Sequence, residues 1–268
     1  MSSESPRKIA AVVLGVCFVC SLLVSITVVS LRAKEEQNKK LDKLENILIA
    51  GDLETDKAHI QETFEKNIKP IIIDLSTGED IPEDQYNEIL NPEDFDLKAI
   101  ANKSEYMKVI PSKKDLAHIK KMPKYMAVYK VMKGDEVEKY ILPIYGKGLW
   151  STLYGFIALD KDLRTIDGFT FYEHGETPGL GGEVDNPRWK NIWKGKLAFD
   201  ENWNVKIRVI KGKVNPAKPD AKYMVDGLSG STLTTRGVDH LVRFWMGENG
   251  YGPFFKRLRE EGANEKLS

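Results

Sequence analysis

The segment that most restricts how this chain can fold is an apolar stretch at its amino terminus. Residues 9–31 are hydrophobic apart from scattered Ser, Thr, Gly and Cys. In a helix this segment extends roughly 34 Å, which is enough to cross the hydrocarbon core of a bilayer. A cleaved signal peptide usually has a shorter apolar region and an Ala-x-Ala-like cleavage site, and no such site is visible near Arg32. We therefore predict a single uncleaved transmembrane helix.

Basic residues flank this segment on both sides. Arg7 and Lys8 precede it, and Arg32 and Lys34 are the first of several that follow it. Because the positive-inside rule counts basic residues, this pattern does not decide which side of the membrane the carboxy-terminal region occupies. We divide the chain into a tail, the transmembrane helix, a stalk helix with linker, and a separate domain, at residues 1–8, 9–31, 32–55 and 56–268.

The two cysteines of the chain, Cys17 and Cys20, both lie inside the apolar segment and share one face of a helix. A structural metal site usually needs four ligands, and an iron–sulfur cluster needs more cysteines than this chain has. We interpret them as small apolar residues that face lipid or a neighbouring helix. The alternative is that they supply two ligands of a site shared with another chain.

The composition of the remaining region excludes several function classes. The chain has 40 basic and 40 acidic residues and no basic stripe interleaved with aromatic residues, so nucleic-acid binding has no support. The large domain has no cysteine, hence no disulfide framework. The four histidines are scattered without ligand spacing, so we predict no metal site. These observations leave one sizeable globular domain.

Alternating hydrophobic residues predict an antiparallel sheet in this domain. The predicted strands are 126–131, 138–142, 154–159, 166–172 and 205–210. Asn186 and Pro187 predict the start of a short helix, because Asn is a preferred N-cap and Pro fits the first helical turn. The fold class is therefore α+β: a single N-terminal transmembrane helix, then a twisted, mostly antiparallel sheet with packed helices.

Further helices are predicted on both sides of the strands. Lys34–Ala50 has one apolar side and extends the membrane helix as a stalk that Gly51 ends. Residues 59–67 form another helix, and residues 77–124 are mostly irregular with short helices. A further amphipathic helix has Thr232 in its first turn and ends at Gly247.

Two glycine-rich loops follow the predicted strands, at 146–151 and 174–183. Neither completes a dinucleotide-binding motif. Glycine allows a flat ring to approach the backbone, and the exposed N–H groups can then donate hydrogen bonds to it. Lys211 and Lys213 are candidates for a positive charge beside such a ring or its phosphate. Ordinary turns and a solvated loop are the alternatives.

The start of the helix at Thr232 suits a phosphate group, because its first N–H groups lack partners within the helix. A simpler interpretation is that Ser229 or Thr232 only caps the helix. The stretch Asp226–Thr232 resembles the flavinylation motif, which reads Asp, two residues, Ser or Thr, Gly, Ala and Thr. In that family the last Thr carries FMN through a phosphoester bond, so the resemblance implies Thr232. Ser231 stands where Ala is usual, which adds a second hydroxyl beside Thr232.

Three further segments extend the resemblance: 148–151, 174–182 and 245–254. With the apolar amino terminus, they resemble the C subunit family of the Na⁺-translocating NADH:quinone oxidoreductases along nearly the whole chain. The flavinylation motif also occurs in the G subunit of Rnf-type complexes, but the first and last of these segments favour the C subunit family. A membrane-anchored binding module without redox function is the remaining alternative.

The resemblance implies a six-subunit complex of the bacterial inner membrane that passes electrons from NADH to ubiquinone while it expels sodium. This chain would be an electron relay that carries covalent FMN, with its FMN-binding domain, residues 56–268, in the periplasm. A separate flavin transferase that uses FAD and Mg²⁺ would attach the FMN. Thr232 would be an attachment point, and no residue would act as a catalytic acid or base.

The candidate cofactor-binding residues come from the motif and from the two glycine-rich loops. They are Thr232, Ser229, Gly230, Ser231, Leu233, Asp226, Gly148, Trp150, Ser151, Glu176, Thr177, Gly179, Leu180, Gly181 and Lys213.

Overall fold

A computed structural model of the chain describes residues 5–265, which divide into two compact units between Lys43 and Leu44. Helix α1 (Pro6–Ala50) contains the predicted transmembrane segment and the predicted stalk in one continuous helix. Within the described range, it is the one helix that is long and apolar enough to cross a membrane. The predicted tail, residues 1–8, lies partly outside the described residues.

The second unit is built around an antiparallel sheet of five strands in the order β1-β4-β5-β6-β7, which confirms the predicted α+β class. Short strands β2 and β3 pair with each other, and β8 pairs with β9 in parallel. The strands are β1 (Ile68–Asp74), β2 (Met107–Val109), β3 (Lys121–Pro123), β4 (Tyr125–Lys133), β5 (Glu136–Lys147), β6 (Thr152–Asp160), β7 (Ile166–Glu173), β8 (Arg208–Val209) and β9 (Met224–Val225).

The helices of this unit are α2 (Ile60–Asn67), α3 (Leu97–Ala101), α4 (Pro187–Asn191), α5 (Thr232–Met246) and α6 (Gly252–Glu265). Helices α2, α4 and α5 begin at or next to their predicted starts, whereas α6 was not predicted. Asn186 is the N-cap of α4, and its side chain accepts a hydrogen bond from the Arg188 N–H at 3.0 Å. Helix α5 begins at Thr232 and ends before Gly247, as the sequence pattern predicts.

Two parts of the predicted strand pattern need correction. The predicted strand at 205–210 is wrong in extent, because only Arg208 and Val209 form a strand, and they pair with β9. The N–H of Val209 donates to the buried Asp239 carboxylate at 2.9 Å. Strand β1 was not predicted, although its Ile71, Ile72 and Ile73 are all buried.

Helix α5 lies very close to strand β5, and this contact fixes where α5 begins. A Cβ at Gly237 would meet the Lys147 carbonyl oxygen at 2.4 Å, and one at Gly146 would meet Leu241 Cβ at 2.5 Å. Near the other end of the helix, the Trp245 indole N–H donates to the Tyr145 carbonyl at 2.7 Å. The first turn of α5 is therefore held beside the loop that follows β5.

The last turn of α1 belongs to the second unit and packs on strand β7. Ile47, Leu48 and Ala50 are fully buried there. A Cβ at Gly168 of β7 would lie 1.9 Å from the carbonyl oxygen of Ala50, so no larger residue fits without movement of the backbone. The Lys139 ammonium donates to the carbonyl of Gly51 at 3.0 Å, which satisfies a group that the helix leaves unpaired.

This contact predicts that Gly168→Ala destabilises the domain by about 1–3 kcal/mol, the usual cost of overpacking. Gly262→Ala in α6 is the matched control, because a Cβ there meets nothing within 4 Å. In a helix this change is neutral or stabilising by up to about 1 kcal/mol. Urea unfolding of the two full-length variants measures both effects, and equal midpoints would contradict the prediction.

Candidate functional site

A cavity of ≈ 390 Å³ opens where the loop after β5, the loop after β7 and the start of α5 meet. Its volume lies in the range of sites for small molecules and cofactors. Trp150, Leu233 and Leu180 form an apolar rim, with 67%, 52% and 46% of their surfaces exposed. The lining residues are Leu149, Trp150, Glu176, Thr177, Leu180, Gly181, Gly230, Ser231, Thr232, Leu233 and Thr234.

The Glu176 carboxylate joins the three segments that form this cavity. It is buried, with 5% of the residue exposed. Its oxygens accept hydrogen bonds from the backbone N–H groups of Leu149, Trp150 and Ser151 at 3.2, 3.0 and 3.1 Å. The hydroxyl of Thr234 in α5 donates to it at 2.6 Å, and the Ser151 hydroxyl donates at 3.3 Å. One anion therefore receives donors from both the β5–β6 loop and α5.

The glycines of the two loops make room for this carboxylate. A Cβ at Gly148 would lie 2.6 Å from Glu176 Oε1, and one at Gly181 would lie 2.8 Å from Glu176 Oε2. The close approach predicted for a flat ring is therefore made here by a protein side chain. The loop N–H groups were expected to donate hydrogen bonds to such a ring. Instead, those of Leu149, Trp150 and Ser151 donate to Glu176.

The hydrogen bonds to Glu176 decide its charge state. Burial alone raises the pKa of this carboxyl, whereas the bonds from Thr234 and from the backbone of Trp150, Ser151 and Leu149 lower it. The net pKa lies below the ordinary value of 4.5, so Glu176 is ionised at neutral pH. Among the residues that line the cavity, it is the single charged one.

The hydroxyl groups at the start of α5 differ sharply in their surroundings. Ser231 is buried and donates to Thr234 Oγ1 at 2.9 Å. Thr235 is buried, donates to the Ser231 carbonyl at 2.8 Å, and accepts from the Leu228 N–H at 3.0 Å. Thr232 is exposed at the first position of the helix, and within the described part of the chain its hydroxyl forms no hydrogen bond.

This arrangement corrects the simpler interpretation of the motif. The N-cap position of α5 is Ser231, and its side chain forms no capping hydrogen bond. Neither Ser229 nor Thr232 occupies the cap, so neither serves the role that a helix-capping interpretation requires. Ser229 is exposed one turn before the helix and does not line the cavity.

Asp226 and Lys213 lie together outside the cavity lining. The Lys213 ammonium is 2.8 Å from Asp226 Oδ2, and the Val214 N–H donates to Asp226 Oδ1 at 2.8 Å. Burial raises the pKa of Asp226, but these two donors lower it below its ordinary value. In this structure, Asp226 anchors the loop before the motif, and Lys213 neutralises it.

The structure brings most of the candidate residues together. Nine of them line the cavity: Trp150, Glu176, Thr177, Leu180, Gly181, Gly230, Ser231, Thr232 and Leu233. Gly148 and Ser151 lie against Glu176. Gly179 has a φ of +74°, and a Cβ there would meet open space. Sequence reasoning missed Leu149 and Thr234 as residues of this site. A hydroxyl two positions after Thr232 gives no sequence signal that it holds a distant carboxylate.

The hydrogen bonds to the Glu176 carboxylate predict that the domain becomes less stable in acid. A carboxyl whose folded-state pKa is lowered adds stability above its unfolded-state pKa, and that stability is lost as the pH falls through the folded-state value. The free energy of unfolding should therefore fall from about pH 5 downwards, and Glu176→Gln should make this fall shallower. At neutral pH this variant should cost about 1–3 kcal/mol, because an amide donor then faces N–H donors. Urea midpoints across this pH range test both statements; an unchanged acid slope in the variant contradicts them.

Comparison with known proteins agrees with this geometry. The FMN-binding domain family model matches residues 148–247, which include the whole cavity. The chain is 41% identical to the C subunit of the Na⁺-translocating NADH-quinone reductase of Yersinia pestis, over 97% of this chain and 98% of that protein. It is 40% identical to the same subunit of the Pseudomonas aeruginosa reductase, over 98% of this chain and 99% of that protein.

Solved structures give the same assignment. The crystal structure of Shewanella oneidensis NqrC aligns with a TM-score of 0.74 and 37% identity, covering 83% of this chain and 99% of that one. The C subunit of the Parabacteroides distasonis reductase aligns with a TM-score of 0.62 and 27% identity, covering 85% and 96%. Full-length identity at this level, with the matching domain and fold, shows that the chain belongs to the C subunit family of the Na⁺-translocating NADH-quinone reductases, whose members are parts of an oxidoreductase complex.

Proposed function

We propose that this chain is a one-electron relay that carries FMN in phosphoester linkage to the hydroxyl of Thr232. The observation that carries this proposal is the state of that hydroxyl. It is exposed, it borders the cavity, and it stands at the first position of α5. The neighbouring hydroxyls of Ser231, Thr234 and Thr235 are buried and hydrogen-bonded.

The helix start suits the phosphate that such a linkage brings. The first N–H groups of a helix have no partners within it, and the helix dipole places positive charge there. The Ser231 side chain does not compensate these groups. A phosphate on Thr232 Oγ1 would therefore be favoured at this end of α5.

The cavity beside Thr232 suits the flavin ring. Its rim of Trp150, Leu180 and Leu233 offers apolar and aromatic surface that is exposed in the protein alone. When bound, FMN would supply the redox chemistry of this site. Thr232 then holds the cofactor and takes no part in proton transfer.

The attachment itself needs a second enzyme. In the proposed reaction, Thr232 Oγ1 attacks the FMN phosphorus of FAD, the pyrophosphate bond breaks, and AMP leaves. The hydroxyl proton passes to a base of the flavin transferase, which also holds Mg²⁺. An exposed hydroxyl is accessible to such an enzyme, whereas the buried hydroxyls of Ser231 and Thr235 are not.

We place this chain in a six-subunit sodium-pumping complex that transfers electrons from NADH to ubiquinone. The names of the curated relatives support a multi-subunit reductase, and α1 supports a membrane anchor. By resemblance, α1 crosses the bacterial inner membrane once, and the FMN-binding domain lies in the periplasm.

The proposal predicts that Thr232→Ala abolishes covalent flavin while the domain stays folded. Protein expressed in its native host is denatured, separated on a gel and examined for flavin fluorescence. Ser112→Ala is the matched control, because Ser112 is also exposed but lies outside both the motif and the cavity. It should keep the fluorescence of the wild-type band. Circular dichroism checks that both variants are folded.

Intact mass gives an independent measurement of the same linkage. Wild-type protein should exceed its sequence mass by FMN minus one water, and the added mass should map to the peptide that contains Thr232. A fluorescent band that survives in Thr232→Ala would contradict the assignment of this residue. If wild-type protein from the native host has the unmodified mass, the proposed relay function is contradicted.

A further inference from the structure

The ionised Glu176 lies in the wall of the cavity, where it has a consequence for the redox properties of a bound ring. We propose that Glu176 is a potential-setting residue, whose carboxylate makes the flavin harder to reduce than it would be beside a neutral side chain. This role rests on the proposed function, because it needs FMN in this cavity. It requires that the flavin ring lies near the carboxylate, and it holds for any orientation of the ring.

The balance of charge around the cavity is negative. Among the described residues, no Lys or Arg lines it, and Glu176 is the one ionised side chain that does. Lys213, which sequence reasoning considered as a cation for the ring or phosphate, is paired with Asp226 away from this wall. The Lys147 ammonium donates to the Trp150 carbonyl at 3.1 Å, but it neither lines the cavity nor bonds to Glu176. An electron added to the ring therefore meets a fixed negative charge in the cavity wall that no cation of that wall offsets.

Burial makes this charge effective. Glu176 is 5% exposed, so solvent screens its field less than it screens a surface carboxylate. The helix dipole of α5 is positive at its start, but in the proposed linkage that end faces the phosphate of FMN. The carboxylate is thus a buried fixed charge in the wall that the ring would face.

The hydrogen bonds to Glu176 keep the charge in place and weaken its field in part. The shortest comes from the Thr234 hydroxyl at 2.6 Å, and four weaker donors come from the loop of residues 149–151. If the Thr234 donor is removed, the carboxylate stays anchored by that loop but is less well compensated. The structure therefore offers one substitution that removes the charge and another that leaves it less compensated.

These two substitutions should move the reduction potential in opposite directions. Glu176→Gln should raise the equilibrium constant for uptake of one electron on the order of tenfold, which corresponds to about 59 mV more positive. Thr234→Val should make the potential more negative, by a smaller amount. A purely structural role, in which either change only loosens the cavity, predicts shifts of the same sign.

The experiment uses the full-length, flavin-loaded protein in detergent at pH 8, where the carboxylate is ionised in both wild type and Thr234→Val. Fluorescence of the denatured band first establishes that each variant carries covalent FMN; its absence from wild type would refute the proposed function itself. Spectroelectrochemical titration then gives the potentials. Glu201→Gln is the matched control, because it makes the same change in net charge at an exposed turn outside the cavity, and it should leave the potential unchanged.

Opposite shifts in the two variants support the proposal. An unchanged or more negative potential in Glu176→Gln, or shifts of the same sign in both variants, overturns it. If Glu176→Gln fails to fold or to accept flavin, Thr234→Val decides alone. A negative shift then supports the proposal, and no shift or a positive one refutes it.

Discussion

The cavity depends on one buried carboxylate. Glu176 receives donors from three consecutive backbone N–H groups and a hydroxyl of one loop, and from a hydroxyl on α5. Such charge-assisted hydrogen bonds are stronger than neutral ones, and they recover the cost of burying the ion. This anion adds to the close packing of α5 on β5, because it ties the loop that carries the exposed Trp150 to the start of the helix. The loop, the helix start and the cavity between them therefore form a single interdependent unit.

The motif on α5 shows how position separates chemically similar groups. Ser231, Thr232, Thr234 and Thr235 all carry a hydroxyl within one and a half turns. Helical geometry turns Ser231, Thr234 and Thr235 inward, where each is hydrogen-bonded. Of these four residues, Thr232 alone is exposed, at the edge of the cavity. The same interaction that buries Thr234 against Glu176 thus sets the rotation of the helix that leaves Thr232 accessible.

The sequence predicted those parts whose cause is local. A long apolar run gives α1, alternation gives β4 to β7, and the Asn186–Pro187 pair gives the start of α4. Strand β1 was not predicted, because a short continuous apolar run such as Ile71–Ile73 has no periodicity that distinguishes a strand from a helix. The extent of β8 depends on Asp239, thirty residues away along the chain, which accepts the Val209 N–H. The loop glycines were identified as site residues, but the group they accommodate is Glu176, and no local pattern could reveal that partner.

An open cavity and a covalent linkage fit together physically. Sites that hold a cofactor by contacts alone usually bury most of its surface, which also shields it from other proteins. Here the rim side chains are about half exposed or more, so the cavity covers a flat ring incompletely. A bond to Thr232 would retain the cofactor without that burial and leave an edge of the ring free to approach redox partners. With retention provided by the bond, the surrounding residues need not contribute cationic contacts for affinity. The cavity can then carry the anion Glu176 instead, which disfavours the reduced ring and favours passing its electron onward.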